Sequence, residues 1–442
     1  MLTLLCCLLA NPTAESDTWA TIAPIVATHC VDCHQETGSA PFPLRTHEDV
    51  SRRRRFVAEI LRRKLMPPWL PGEEGLPVHD DRSMPKEDRS RLVTWLEAGA
   101  PIGDDSISPS PIAPTAQKTL PSGTVTVALE EPFSIPPETI ENEHRHHQDT
   151  WTFVMPLEND ETMHVRGVGW TTAAPEAIHT VTLLVDDRRR GRKRDGYDPR
   201  VGYERDGDLD QDISGSFGAL GIGLPRMMLP DGFHWTIPPS SDLVVELKYR
   251  PVGRELPLQD AAQLIPADPI GSRSVVPVVT GLNRVKLDAG QANYTEEDRF
   301  VLPSDFDVVA VIPRGRNECR SMRLTAELPD GAQRVLMDIP DWNAHYRRPF
   351  VLETVQSLPA GTTLTSRFTF DNSDANPRNP YDPPEDLRVG RRTGVVCFTL
   401  LGAGRDHAES RALMEASKWT MDRRGMKRIP MRTPIPSTTS PE

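Results

Sequence analysis

The sequence predicts a multidomain chain in which a small all-α domain over residues 17–104 is followed by two all-β sandwich lobes over 124–270 and 271–404. Three observations carry this. Between Trp19 and Ala98 three stretches read as helices, the last with apolar residues on one face. Residues 105–123 are rich in Ser, Pro and Thr without an apolar period, the composition of an extended linker. Beyond Thr124 short apolar or alternating runs bounded by turn signals replace the helical period. With 442 residues the chain is long enough for two or three domains, because single cores rarely grow past about 250 to 300 residues. Its 43 prolines favour many short segments over a helical bundle.

Taken in order, Met1 to Ala10 is an apolar run ending near Asn11-Pro12-Thr13-Ala14. It resembles the apolar region and small-residue cleavage site of a secretory signal over 1–16, although it lacks a basic start. Trp19 to Thr28 reads as a short helix. Thr46 with Asp49 is a capping-box pattern opening a helix through about Leu65. A last helix runs from Pro85 to Ala98 with Leu92, Trp95 and Leu96 on one face, and Gly99 and Pro101 stop it.

Within this segment stands Cys30-Val31-Asp32-Cys33-His34. C-x-x-C-H is the spacing that attaches a c-type haem: two thiols form thioethers to one porphyrin, and the following His34 is placed as an axial ligand of the iron. A thioredoxin-like redox pair and half of a zinc site compete with this reading. The redox pair should follow a strand, and a four-cysteine zinc site needs a second pair nearby, whereas the next cysteine is Cys319. A methionine thioether is a common distal partner of histidine in electron-carrying haem. Met66, in Leu65-Met66-Pro67-Pro68-Trp69, is the expected distal ligand, and Met84, before Pro85, is its rival. Through C-V-D-C-H, A-P-F-P-L, M-P-P-W and W-L-E-A-G-A-P-I-G-D, the stretch from Trp19 to Asp104 resembles the small helical cytochrome c domains of bacterial multidomain proteins. That resemblance implies haem c and an extracytoplasmic, periplasmic setting.

After the linker, strands are expected at Trp151 to Met155, Ile178 to Val185, Leu243 to Tyr249, Val308 to Ile312, Leu364 to Phe370 and Val395 to Leu401. Turn signals stand at 230–232, 329–331 and 359–361. The tail, 405–442, reads as a weak helix from Asp406 to Arg424 and then a Pro/Thr/Ser-rich end predicted to be disordered. Cys319 and Cys397 are far apart in sequence, and a disulfide between them is one possibility.

Several of these residues carry a second resemblance. Leu328-Pro-Asp-Gly331, Pro340-Asp341-Trp342, Tyr346, Leu358-Pro-Ala-Gly-Thr362 and Asp371-Asn-Ser-Asp-Ala-Asn-Pro-Arg-Asn-Pro380 resemble the C-terminal lobe of copper type II, ascorbate-dependent monooxygenases, the group that includes peptidylglycine alpha-hydroxylating monooxygenase. Ala177-Ile-His-Thr-Val181 and Leu229-Pro-Asp-Gly232 through Glu246-Leu-Lys-Tyr-Arg-Pro-Val-Gly253 resemble its N-terminal lobe. The resemblance implies two jelly-roll-like lobes with one copper on each. At the positions matching the family's copper ligands, this chain has His179, Thr180 and Lys248 for the first site and Arg314, Arg316 and Cys397 for the second. Only His179 is kept. A protonated lysine or guanidinium has no lone pair to give, so neither site is expected to hold copper.

Lys and Arg number 51 against 63 Asp and Glu, a net charge of −12 that argues against a nucleic-acid partner. No run approaches the ~18 apolar residues of a membrane span. His144-Arg145-His146-His147 reads either as an exposed polar loop or as a metal site. The basic runs Arg52 to Arg55 with Arg62, Arg63 and Lys64, and Arg188 to Arg194, read as solvated faces; the first alternatively docks an acidic redox partner. Three functions follow: a haem electron carrier whose sandwich pair is a docking scaffold, a monooxygenase acting on a small-molecule or peptide substrate and fed electrons by its own haem, or a structural protein.

Overall fold

In the computed structural model the described residues are 17–103, 111–114, 119–138, 149–204, 215–221, 225–282, 284–390 and 396–423. The segments 1–16, 144–147 and 424–442, and most of the linker, lie outside them. The chain separates into two compact units, Met1–Trp69 with Arg82–Lys118, and Leu70–Asp81 with Thr119–Glu442.

The first unit holds α1 (Trp19–His29), α2 (His47–Arg52), α3 (Arg54–Arg62) and α4 (Lys86–Glu97). Thr46 caps α2, accepting from Asp49 N at 3.0 Å while Asp49 Oδ2 accepts from Thr46 N at 3.0 Å. The helix then breaks at Arg53 instead of running to Leu65. On α4, Leu92, Trp95 and Leu96 are buried, and Gly99 at φ +101° ends it. These side chains pack with Trp19, Ile22, Val26, Leu61 and Met84 into one apolar core.

The second unit is built from sheets. One is antiparallel in the order Asp149–Pro156, Asp242–Tyr249, Ile178–Asp186, Gly215–Gly221. It faces a six-stranded sheet centred on Met163–Thr171, and Phe153, Val181, Leu183, Val245 and Leu247 interleave with Val168, Trp170, Trp235 and Leu264. Two further four-stranded sheets follow, Val276–Leu282, Val396–Ala403, Phe306–Arg314, Phe350–Leu358 and Tyr294–Val301, Thr363–Phe370, Cys319–Glu327, Gln333–Ile339. Phe368 and Phe398 stack between them at 5.6 Å. Val309, Ala310, Val351 and Leu401 belong to the same apolar cluster as the first sheets, so the β halves share a core. Short α5 (Arg190–Asp195) lies beside the first sheet, and α6 (His407–Arg423) ends the described chain.

The predicted fold class, a small all-α domain followed by two all-β lobes, is corrected. The chain is mainly β, its first helices are only 11, 6, 9 and 12 residues long, and no distinct all-α domain is evident. Residues 70–81 leave the helical segment for the β unit, where Gly72 N donates to Asp338 O and Val78 bridges Leu352. The physical reason is proline. Pro41, Pro43, Pro67, Pro68, Pro71, Pro77 and Pro85 withhold N–H groups and bias each preceding residue away from the helix, so the apolar period survives only in short pieces.

The basic run 188–194 is not simply a solvated face. Arg192 forks onto the fully buried Asp242 at 2.6 and 2.7 Å, and Gly191 N donates to Asp186 Oδ2 at 2.7 Å. A Cβ at Gly191 would stand 2.9 Å from Val244, so the glycine lets α5 close on the sheet.

Candidate functional site

The C-x-x-C-H loop is built on the end of α1. Cys30 N and Val31 N both donate to Val26 O, and the wholly buried Val31 pins the loop to the helical core. Cys33 N and His34 N turn back to Cys30 O at 3.3 and 2.9 Å. Ala40 N then donates to Cys33 O, which lies 2.0 Å from where a Cβ at Gly38 would be. Only glycine fits there.

This folding brings Phe42 O to 2.9 Å from His34 Nδ1. A carbonyl can only accept, so Nδ1 carries the hydrogen and the ring's lone pair is left on Nε2. Burial lowers the His34 pKa and the Arg53 guanidinium adds to the effect, outweighing the Phe42 carbonyl, so the ring is neutral near pH 7. Cys30 and Cys33 are half-buried free thiols. Burial, with Cys33 adding, pushes the Cys30 thiol up to about 12, the opposite of the depressed value that makes a reactive redox cysteine. The donor set therefore fits haem c: two thiols to be alkylated and one neutral imidazole with its lone pair available.

The candidate distal ligands differ in setting. Met84 is 7% exposed and part of the helical core, whereas Met66 is 36% exposed. Arg89 Nη1 donates to both Leu61 O and Met66 O, fixing the Met66 backbone against the end of α3. A thioether outside the core can turn to iron without emptying the core. In the basic run nearby, Arg62 and Arg63 pair with Glu59, Arg62 also reaches Glu97, and Arg53 lies over the Phe42 ring at 4.5 Å. Arg52, Arg55 and Phe56 are exposed.

The six positions that the proposed resemblance sets against copper ligands fall in two groups. In the first, Thr180 lies directly across from Lys248 in the sheet, and a bulge between Ile178 and Thr180 displaces His179. In the second, Arg314 faces Cys397 across adjacent strands. Arg316 is engaged by the buried Glu318 at 3.0 Å. The donor chemistry does not fit copper. Among the described residues no three His, Cys, Asp or Glu side chains are grouped to hold a metal ion. Cys397 and Cys319 are buried thiols and form no disulfide.

One residue of this region escaped sequence reasoning. His345, in a 3₁₀ turn Ala344–Tyr346, stands edge-on to His179 with ring centroids 5.5 Å apart. Its only sequence signal was a place between Trp342 and Tyr346, and nothing local tied it to His179. Burial, then His345, Lys248, Arg347 and Arg250, lower His179 to about 4. In the Asp371 to Pro380 loop, the buried Asn372 ties it to neighbouring segments by donating to Asp288 O and Glu385 O, and Asn376 Nδ2 donates within it to Asp371 O.

No protein-family profile and no curated protein matches the chain. Among solved structures the chain is similar to PNGF-II at 10% identity over 64% of this chain and 66% of that one, with a TM-score of 0.28. It is also similar to the major capsid protein P2 of bacteriophage PM2, at 11% identity over 64% of this chain and 98% of that one, with a TM-score of 0.24.

Proposed function

We propose that this chain is an extracytoplasmic c-type haem protein that transfers electrons, and that its β unit, which resembles copper monooxygenases in motif but not in ligands, is a binding or docking scaffold. One observation carries the reading: Cys30, Cys33 and a His34 whose Nδ1 is committed to Phe42 O stand together on one short loop. Haem attached there would supply a one-electron couple at its iron. The chain's own residues hold His34 in one tautomer, present the two thiols beside it and leave Met66 exposed, so that Cys30, Cys33, His34 and Met66 would hold the group. Arg52 and Arg55 offer positive charge to an acidic redox partner. Among the described residues no helix is long and apolar enough to cross a membrane.

The monooxygenase alternative would need a metal held by residues other than the replaced ligands, and Lys248 opposite Thr180 disfavours one there. Protein matured in a bacterial periplasm decides between them. Covalent haem in reduced-minus-oxidised spectra with no copper by metal analysis is expected. Two equivalents of tightly bound copper would overturn the reading.

A further inference from the structure

Where the resemblance expects a copper, the β unit gathers positive charge, and the backbone shows how. Thr180 is flanked by Lys248 on one side and by Gly221 on the other. A Cβ at Gly221 would stand 2.9 Å from Arg347 O, so glycine lets the segment carrying His345 and Arg347 lie against this end of the sheet. At Gly218 a Cβ would stand 2.8 Å from Pro349, a second close approach of the same segment. Arg250 is tied down by donating from its N to Ala177 O and from its Nε to Glu176 O. The result is two imidazoles 5.5 Å apart, His179 and His345, among the cations Lys248, Arg250 and Arg347. Arg378 acts on His345 as well. Of the acids, Asp341 is engaged by Arg378 and Arg320, and Glu246 shares the outward face of the strand two residues from Lys248.

We propose that this cluster of His179, His345, Lys248 and Arg347 is an anion site, which takes a small oxyanion carrying two charges, phosphate or a dicarboxylate. The chemistry follows from the donor types. Lysine and arginine have only N–H donors, and a neutral imidazole has one N–H that donates as well. Charge-assisted hydrogen bonds of this kind are stronger than neutral ones. The inference deepens the docking-scaffold reading of the β unit by naming a ligand class, but it uses no residue of the haem loop.

The test is calorimetric titration of the full haem-loaded protein at pH 7 and fixed ionic strength, with inorganic phosphate, sulfate and malonate as separate probes and chloride as the background ion. Saturable binding of at least one probe is expected, and Lys248→Gln and Arg347→Gln, on two different elements, should each weaken it about tenfold or more. Thermal unfolding of each variant without anion identifies one that has failed to fold, and the other variant then carries the test. Preference for malonate would assign the site to carboxylates, and preference for phosphate to phosphoryl groups. No saturable binding of any probe, binding untouched by both folded variants, or tight copper or zinc binding lost in His179→Gln would each overturn the proposal. A Cys30→Ala, Cys33→Ala protein that still binds the anion would separate this result from a failure of the haem reading.

Discussion

His34 and His179 are both half-buried imidazoles held below the ordinary histidine range, and burial is the leading cause for each. What surrounds them differs. His34 has its Nδ1 hydrogen committed to a carbonyl and two thiols on the same loop, the partners a metal-bound prosthetic group requires. His179 lies among Lys248, Arg347 and Arg250, with its Nδ1 3.0 Å from the hydroxyl of Thr180, partners that repel a metal ion and attract an anion. A neutral histidine is thus no predictor of a metal site by itself. Its neighbours decide which charge it welcomes.

The sharpest way to break the comparison is to remove the thiols. Cys30→Ala with Cys33→Ala should leave no haem attached after denaturation, an all-or-none result on a haem-stained gel, while anion binding at His179 persists. A double variant that kept its haem covalently would end the assignment of His34. The next effect separates ligation from packing. Met84→Ala should destabilise the first unit by about 2 to 5 kcal/mol, the usual range for a buried methionine, with the haem spectrum unchanged. Met66→Ala should do the reverse, with little loss of stability and a lowered potential or an iron open to added ligands. If Met84→Ala altered the spectrum and Met66→Ala did not, the distal ligand would be Met84.

How much of this was legible in the sequence depended on whether the signal was local. The Thr46–Asp49 cap and the Leu92, Trp95, Leu96 face of α4 are read within a few residues, and the structure forms both. The Cys30 to His34 motif is equally local, and its haem reading is a proposal. The turn glycines Gly232, Gly331 and Gly361 all adopt positive φ, between +83° and +85°. The pairing of Thr180 with Lys248 and of Arg314 with Cys397 was not predicted, since periodicity says nothing about which strands become neighbours and the resemblance only assigned these residues to two sets of ligand positions. The fold class failed where helical periodicity over short pieces was extended across a proline-rich stretch. His345 was missed because its meaning lies in a contact with a strand far away in sequence.

A smaller effect tests the His179 surroundings through acid stability. His179 titrates near 4 when folded against an ordinary 6.5, so between those values the unfolded chain binds a proton that the folded one does not. Stability from this group is complete above about pH 6.5 and is lost as the pH falls through about 4. His345 is lowered as well and adds in the same direction. The double variant His179→Gln with His345→Gln should therefore lose less of its thermal midpoint between pH 7 and pH 5 than the parent chain. An identical drop in both would mean that these rings are not held neutral by their surroundings.

The smallest effect concerns Arg53, whose charge acts on His34 as Lys248, Arg347 and Arg250 act on His179. Its guanidinium lies 4.5 Å over the Phe42 ring, its Nη1 donates to Asp49 O at 3.2 Å, and its charge helps to keep the His34 imidazole neutral. A fixed positive charge near a redox centre favours the electron-rich state, by an amount that Coulomb's law at a partly solvated site makes modest. Arg53→Gln keeps a donor for Asp49 O and removes the charge. The reduction potential should fall by on the order of tens of millivolts, and the shift should shrink at high salt as screening replaces the lost difference. The Phe42 carbonyl is a backbone group and stays in place, so His34 ligation and the haem spectrum should not change. A potential that stayed fixed at low salt would mean that Arg53 acts only through its packing on Phe42, and the electrostatic likeness between the two histidines would then stop at burial.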